Sequence, residues 1–293
     1  MRFEGIYVPL ITTFGEGLDI DYGAWGEAID WQLEHGTHGI IVGGSTGEFF
    51  SLTKDERIEQ FAFARQRIDG RVPLVAGVNA LVARECYELA AAARDAGADA
   101  LLVAAPPYSQ PSQEELAAHV LEIDRVADLP ILLYNYPSRT GTGMDKAFLD
   151  RVSQSPNVVA IKESSGDGDR IRLLAGEYRR LQLSAGGEHQ VLEFFAWGAR
   201  SWVSVIANFM PREAAALFDT CVLKNDFASG RERMQSLLPL LSWLEQGGRF
   251  LPGVKFACEV MGRPGGALRP PFLPLSKAEQ AELRGILEAA TAR

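Results

Sequence analysis

The chain has 293 residues, of which 47% are hydrophobic and 23% are charged, and its formal net charge is −9 at pH 7. This composition is typical of a globular domain with a sizeable core, and no apolar run approaches the roughly 20 residues that span a bilayer. The acidic balance, with no basic run longer than the pair Arg179 and Arg180, disfavours nucleic acid and anionic membranes as partners.

Short apolar runs alternate with amphipathic segments along most of the chain. In chain order, the apolar runs lie at 5–12, 39–44, 72–78, 99–105, 129–136, 157–163, 181–187 and 201–208. Most of them are apolar at every position, as is typical of parallel strands buried on both faces. Segments with helical periodicity lie between the runs, including 21–35, 53–68, 83–96, 113–125, 145–153 and 190–198.

Eight strands with intervening helices predict an α/β protein folded as a TIM (β/α)8 barrel, for which roughly 250 residues is usual. The structural alternative is an open doubly wound sheet, which usually carries GxGxxG after its first strand. Here the first run ends in TTFGEG, which lacks the third glycine. The pattern therefore favours the barrel.

The barrel should be complete near residue 222, so we expect a catalytic barrel domain over 1–222 and a helical region over 223–293. Helices of this C-terminal region are predicted at 227–246, 253–262 and 276–290. The Pro/Gly-rich segment GRPGGALRPPFLP separates the last two, because it suits neither a helix nor a central strand. We expect this region to be a helical appendage without a core of its own.

Cysteine and histidine patterns predict neither a disulfide framework nor a metal site. The three cysteines form no CxxC pair, which favours reduced thiols: Cys86, Cys221 and Cys258. His35 and His38 have helical spacing but no apparent third ligand. These patterns lead us to expect no bound metal. The first 17 residues resemble a strand more than a signal peptide, so we expect a cytoplasmic protein.

Three of the predicted strands end in polar segments, and active sites of TIM barrels lie at these strand ends. Lys162 terminates one of them and should share a face with Val158 and Ala160, pointing into the barrel if they do. A dry cavity favours the neutral amine, because desolvation penalises the ammonium. A neutral amine is the form that attacks a ketone to give an imine.

Other interpretations of the lysines remain open from the residues alone. Lys162 could instead pair with a buried carboxylate or extend to solvent. Lys255, within GVKFACEV, has comparably apolar neighbours and is a rival amine. Because Lys255 lies on a predicted helix beyond the barrel, a side chain that extends to solvent is the ordinary expectation for it.

The other polar groups at the strand ends are also ambiguous alone. GGSTGE at 43–48 lacks the spacing of a nucleotide-binding loop, but Ser45 and Thr46 suit a carboxylate, and a tight turn explains the segment equally well. Tyr134 could exchange protons beside Lys162 or be an ordinary core tyrosine. Arg139 could hold a carboxylate or remain solvated.

Together these segments closely resemble the dihydrodipicolinate synthase/N-acetylneuraminate lyase family of pyruvate-dependent class I aldolases. The resemblance covers nearly the whole chain, and the matching motifs are GGSTGE at 43–48, PPYSQPSQEE at 106–115, YNYPSRTG at 134–141 and IKESSGD at 161–167. It implies a Schiff-base lyase that uses no cofactor besides the imine with its substrate. It also implies a homotetramer or dimer of identical chains.

The resemblance implies a role for each matching position. Lys162 resembles the Schiff-base lysine and Tyr134 the proton donor and acceptor above the imine. Ser45 and Thr46 match the pocket of the pyruvate carboxylate, and Thr46 also matches the threonine of a proton relay. Tyr108 resembles the tyrosine that crosses a subunit interface to complete that relay. The backbones expected to line the pyruvate pocket are those of Gly187 and Val203.

The second substrate follows from fewer positions. Arg139 resembles the arginine that holds the carboxylate of aspartate semialdehyde, which favours a 4-hydroxy-tetrahydrodipicolinate synthase. Ser45 instead resembles the lyase branch, and Glu188 with His189 stand where the synthase usually has two aspartates. An N-acetylneuraminate lyase, or an aldolase or dehydratase of 2-keto-3-deoxy sugar acids, is therefore the alternative. The non-enzyme alternative is a catalytically silent barrel that binds a 2-oxo acid.

Feedback inhibition by lysine is not expected. Glu85 matches one position of the synthase's lysine pocket, but Leu81 and Pro107 occupy the positions of the family's asparagine and tyrosine.

Overall fold

In the computed structural model, which describes residues 1–245 and 248–291, eight parallel strands close into a barrel in chain order. The last strand pairs with the first, with Gly5 opposite Ser201. The TIM barrel predicted from the apolar runs is thus confirmed. Its strands are β1 (Gly5–Pro9), β2 (Gly39–Val42), β3 (Leu74–Gly77), β4 (Ala100–Ala104), β5 (Ile131–Asn135), β6 (Val158–Glu163), β7 (Gln182–Ala185) and β8 (Ser201–Val203).

Nine helices of the described residues accompany the barrel strands. They are α1 (Tyr22–Glu34), α2 (Lys54–Ile68), α3 (Ala83–Asp95), α4 (Gln113–Ala127), α5 (Pro137–Thr140), α6 (Lys146–Val152), α7 (Gly168–Glu177), α8 (Val191–Ala196) and α9 (Pro211–Phe218). Reciprocal hydrogen bonds start two of them: Thr53 with Glu56 at α2, and Ser112 with Glu115 at α4.

Three further helices form the C-terminal region: α10 (Phe227–Glu245), α11 (Phe250–Val260) and α12 (Lys277–Thr291). The predicted last residue of the first of these helices, 246, lies outside the described residues. α11 begins three residues earlier than predicted, because Pro252 falls in its first turn, where the missing N–H of proline is tolerated.

The C-terminal helices share the apolar core of the barrel's outer layer. Leu240, Val254 and Leu283 are buried in the same cluster as Trp202 of β8 and Phe194 of α8. Within the described ranges, no helix is long and apolar enough to cross a membrane.

A second, smaller cluster fills the barrel interior and contains Ala160 and Tyr134. Ile161 belongs to the outer cluster, so strand alternation points Lys162 inward. The expectation that Val158 shares this inward face is wrong, because Val158 packs in the outer cluster. The register shifts where β6 meets Ile131 and Leu132 of β5, which reverses the alternation before Ala160.

Candidate active site

The carboxyl ends of the strands surround a cavity of about 290 Å³. Six of the residues predicted for the site line it: Ser45, Thr46, Tyr134, Arg139, Lys162 and Gly187. The C-terminal region, which we expected to be only an appendage, also contributes to the lining. Its three lining residues are Glu245, Phe250 and Leu251. The cavity is therefore built jointly by the barrel and by the ends of α10 and α11.

Lys162 is a buried amine without a counterion. Its side chain forms no ion pair with any described residue, and its Nζ lies 3.9 Å from the centre of the Tyr134 ring. Burial lowers the pKa of Lys162 to about 8, while the carboxylates of Glu188 and Glu245 act in the opposite direction. A substantial fraction of this amine is therefore neutral near physiological pH, as nucleophilic attack requires.

Tyr134 flanks Lys162 on the neighbouring strand. The two Cα atoms are partners in the parallel pairing of β5 and β6, so both side chains enter the barrel at the same level. Burial raises the pKa of Tyr134 above its ordinary value, and Arg139 opposes that shift only in part. Tyr134 is thus a neutral phenol at physiological pH and can donate a hydrogen bond or a proton.

The turn after β7 approaches Lys162 so closely that a glycine is required. A Cβ atom at Gly186 would lie 2.7 Å from Lys162 Cγ and would also collide with Ser164 Oγ. At Gly187, the position singled out from the sequence, the nearest atom to such a Cβ is Gln190 Oε1 at 3.3 Å. Gly187 lines the cavity, but Gly186 is the position where a side chain is sterically excluded.

Glu188 is a buried acid of the cavity for which the sequence suggested no catalytic role. Its Oε1 accepts a hydrogen bond from the backbone N–H of Val205, and its Oε2 has no hydrogen-bond partner among the described residues. Burial raises the pKa of Glu188 to about 8; Glu245 adds to this shift, while the backbone N–H groups of Val205 and Ile206 and the charge of Lys162 oppose it. The carboxyl group is therefore poised to change protonation near neutral pH.

Glu163, the residue after Lys162, connects the ends of neighbouring strands. Asn135 Nδ2 donates to both carboxylate oxygens of Glu163, at 3.0 and 2.8 Å, and the Ser165 N–H donates to Oε1 at 2.7 Å. Arg170 lies 3.5 Å from Oε2. This network ties the end of β6 to the end of β5 and so restricts the position of Lys162.

The turn after β2, which carries Ser45 and Thr46, is anchored from below by Glu48. Glu48 adopts a left-handed backbone with φ of 57° and is completely buried. Its Oε1 lies 2.5 Å from Nζ of Lys255, which also donates to the Ala267 carbonyl at 2.6 Å. The expectation that Lys255 reaches solvent is therefore wrong, because α11 packs on the barrel and brings this amine to a buried carboxylate.

The remaining predicted residues occupy different surroundings. Arg139 is exposed at the cavity rim, with its Cζ 5.6 Å from the Tyr136 ring centre and 6.0 Å from that of Phe250. Val203 is buried in the barrel interior, and Val205 rather than Val203 lines the cavity. Tyr108 is 91% exposed in the single chain, has a positive φ of 74° and lies outside the cavity.

The described residues contain no group of three or more His, Cys, Asp or Glu side chains that could hold a metal ion. All three cysteines are buried and free of disulfides.

Comparison with known proteins gives concordant matches in sequence and fold. A model of the dihydrodipicolinate synthetase family matches residues 2–290. The 4-hydroxy-tetrahydrodipicolinate synthase of Pseudomonas putida (strain W619) is 35% identical over 284 residues, covering 97% of this chain and 97% of that protein. The crystal structure of dihydrodipicolinate synthase from Aquifex aeolicus is 34% identical with a TM-score of 0.91, covering 98% of this chain and 97% of the other.

A further solved structure was determined with a small molecule bound. It is the chloride-inhibited dihydrodipicolinate synthase from Acinetobacter baumannii, complexed with pyruvate, which is 28% identical with a TM-score of 0.92. The match covers 99% of each chain. The resemblance inferred from four short motifs is confirmed over nearly the full length.

Proposed function

The chain belongs to the dihydrodipicolinate synthetase family, and from this membership we propose that it is a class I aldolase-type lyase that binds pyruvate, or a related 2-oxo acid, as a Schiff base on Lys162. The observation that supports this assignment best is the contrast between two buried lysines. Lys255 is paired with Glu48, whereas Lys162 faces the cavity and forms no ion pair with any described residue. An unpaired amine with a lowered pKa is the nucleophile that imine formation requires.

In the proposed reaction, the neutral amine of Lys162 adds to the ketone carbon, and the former carbonyl oxygen leaves as water. Tyr134, a neutral phenol above the amine, supplies and recovers protons at that oxygen. The imine then loses a methyl proton to become an enamine, whose carbon attacks an aldehyde. The proton relay is proposed to continue through Thr46 of the same chain and then through Tyr108 of the partner subunit.

The carboxylate of the 2-oxo acid is assigned to the turn after β2. Ser45 and Thr46 offer hydroxyl and backbone N–H donors at the cavity wall, and the anchored Glu48 holds that turn in place. The backbone of Gly187, which lines the cavity, is assigned to the same pocket, together with that of Val203, whose side chain packs in the barrel interior.

For the second substrate, the first candidate is aspartate semialdehyde, which would make the product 4-hydroxy-tetrahydrodipicolinate. The relative from Pseudomonas putida carries that activity in its name, and Arg139 offers a guanidinium at the rim for a second carboxylate. A sugar-acid lyase, aldolase or dehydratase is the second candidate, because Ser45, Glu188 and His189 all line the cavity. Their hydroxyl, carboxyl and imidazole groups suit a polyhydroxylated partner.

We further assign the working form to a homotetramer or a dimer. Tyr108 is 91% exposed and Leu81 is 71% exposed in the single chain, a combination that favours coverage by a second copy. The proposed chemistry draws on side chains and the imine alone, without a separate cofactor.

Reduction with borohydride in the presence of pyruvate tests the proposal. We expect intact-protein mass spectrometry to show one reduced adduct, and peptide mapping to locate it at Lys162. The variant Lys162→Ala should give no adduct, and the matched exposed-lysine variant Lys224→Ala should give the wild-type amount. Absence of an adduct in the wild type would leave the silent 2-oxo-acid-binding barrel as the better description.

A coupled assay with pyruvate and aspartate semialdehyde then separates the candidate reactions. Turnover with this aldehyde supports the synthase. Turnover only with 2-keto-3-deoxy acids or N-acetylneuraminate would transfer the assignment to the second candidate.

A further inference from the structure

Glu188 shares the cavity with Lys162, and the mechanism above leaves it without a role. We propose that Glu188 accepts the proton that the Lys162 ammonium must lose before its nitrogen attacks the ketone. The inference rests on the proposed Schiff-base function and adds a catalytic residue to it. It assigns to this chain a proton acceptor that is separate from the Tyr134 relay.

The geometry of the carboxyl group fits this task. The Val205 N–H binds Oε1 and fixes the orientation of the group, while Oε2 is buried and has no hydrogen-bond partner in the described part of the chain. The turn that carries Glu188 starts at Gly186, where an added Cβ atom would lie 2.7 Å from Lys162 Cγ. The turn therefore passes directly beside the Lys162 side chain. Because Glu188 and Lys162 form no direct ion pair, the proposed transfer is relayed by water in the cavity.

The other groups of the cavity are less suited to accept this proton. Tyr134 already carries its proton, because burial raises its pKa, so it cannot take a further proton from the Lys162 ammonium before the attack. Glu245 and His189 are exposed side chains at the rim, whereas Glu188 is buried beside Lys162. The ionisable side chains that line the cavity with Glu188 are Lys162, Tyr134, Tyr136, Arg139, His189 and Glu245.

The proton-transfer step balances. The proton moves from Lys162 Nζ to Glu188 Oε2, and the neutral amine adds to the ketone carbon as the carbonyl π electrons move to oxygen. The new adduct transfers one proton from nitrogen to that oxygen through Tyr134. Glu188 then returns its proton, the oxygen leaves as water, and the positive charge remains on the iminium nitrogen.

Burial shifts the acidities of donor and acceptor toward each other. Burial lowers the pKa of Lys162 to about 8 and raises the pKa of Glu188 to about 8. Each charge also stabilises the other, since Lys162 lowers the pKa of Glu188 and Glu188 raises that of Lys162. A smaller difference in acidity lowers the free-energy cost of moving the proton from Lys162 to Glu188.

The test measures the rate of imine formation with pyruvate by rapid mixing, borohydride quenching and intact-protein mass spectrometry, at pH values below and above 8. The variant Glu188→Gln keeps an oxygen for the Val205 N–H but cannot take the proton. We expect it to reach the wild-type amount of adduct about 100-fold more slowly, with a changed pH profile. Glu193→Gln removes an exposed carboxylate on α8 and should leave both rate and profile unchanged.

A second variant separates proton transfer from a structural effect. Glu188→Ala should be equally slow, and added formate should restore its rate in a concentration-dependent manner, because a small carboxylate can occupy the vacated space. A wild-type rate for Glu188→Gln across the pH range, or slow variants that formate does not rescue, would overturn the inference. The proposed function would survive either result, since it fails only if the wild-type protein forms no adduct.

Discussion

Lys255 and Glu48 form a buried ion pair, with 2.5 Å between Nζ and Oε1. Lys162 is buried to a similar degree but forms no ion pair with the described residues. A paired buried lysine is a structural element, because its charge is compensated. An unpaired one is destabilising as long as it is protonated, and such a cost is typical of functional sites.

The first prediction concerns the loss of one partner from the buried pair. Lys255→Met leaves Glu48 buried without a counterion, so we expect the free energy of unfolding to fall by about 3–5 kcal/mol. Chemical denaturation at neutral pH measures this change. The double variant Lys255→Met with Glu48→Leu should recover most of the loss. Equal losses in the single and double variants would show that packing, and not charge, stabilises this contact.

The ion pair of Lys255 and Glu48 should also affect substrate binding. Because Glu48 holds the turn that carries Ser45 and Thr46, Lys255→Met should raise the concentration of pyruvate needed for half-maximal imine formation. The exposed-lysine variant Lys224→Met should leave this concentration unchanged.

The second prediction concerns the opposite behaviour of Lys162. Its pKa is about 8 in the folded protein against an ordinary value of 10.5, so the unfolded state binds more protons between these pH values. The contribution of Lys162 to stability therefore rises with pH in this window and is lowest well below pH 8, where the ammonium form predominates. Lys162→Met removes this group and should be more stable than the wild type by about 3 kcal/mol at pH 7.

Denaturation of both proteins at pH 7 and near pH 10 measures that difference. We expect the difference in the free energy of unfolding to be smaller at the higher pH, while Lys162→Met is inactive at both pH values. A difference in the free energy of unfolding that does not change with pH would indicate that the methionine acts through packing rather than through the removed charge.

The strands and the lysine were predictable because parallel barrel strands are buried on both faces and leave continuous apolar runs. The role of Glu188 was not predictable, since its burial depends on a turn that folds against the Val205 N–H just after β8, a contact between residues 17 positions apart. Phe250 and Leu251 enter the site only because α10 and α11 return to the barrel mouth. The inward face of β6 was misassigned at Val158, because a local register shift leaves no trace in an apolar run.

The third prediction tests the close approach at Gly186. Gly186→Ala places a Cβ against Lys162 Cγ and Ser164 Oγ, so we expect the turn to shift and the rate of imine formation to fall at least tenfold. Gly176→Ala on α7 is the matched control, because no atom of the residues that the structure describes lies within 4 Å of its added Cβ. That control should be neutral or stabilising by roughly 0.5–1 kcal/mol. Wild-type rates in Gly186→Ala would mean that the turn does not position Lys162.

The fourth prediction concerns Arg139 and the second substrate. The guanidinium lies over the Tyr136 ring and forms no ion pair with the described residues, so it is available for an incoming carboxylate. In Arg139→Ala we expect KM for aspartate semialdehyde to rise at least tenfold, since a charge-assisted hydrogen-bond pair contributes roughly 1.5–3 kcal/mol. The extent of imine formation with pyruvate should stay unchanged, because Lys162, Ser45 and Thr46 hold that substrate. Arg125→Ala, which removes an exposed arginine on α4, should alter neither quantity. An unchanged KM for aspartate semialdehyde would instead assign Arg139 to the surface and favour a partner without a second carboxylate.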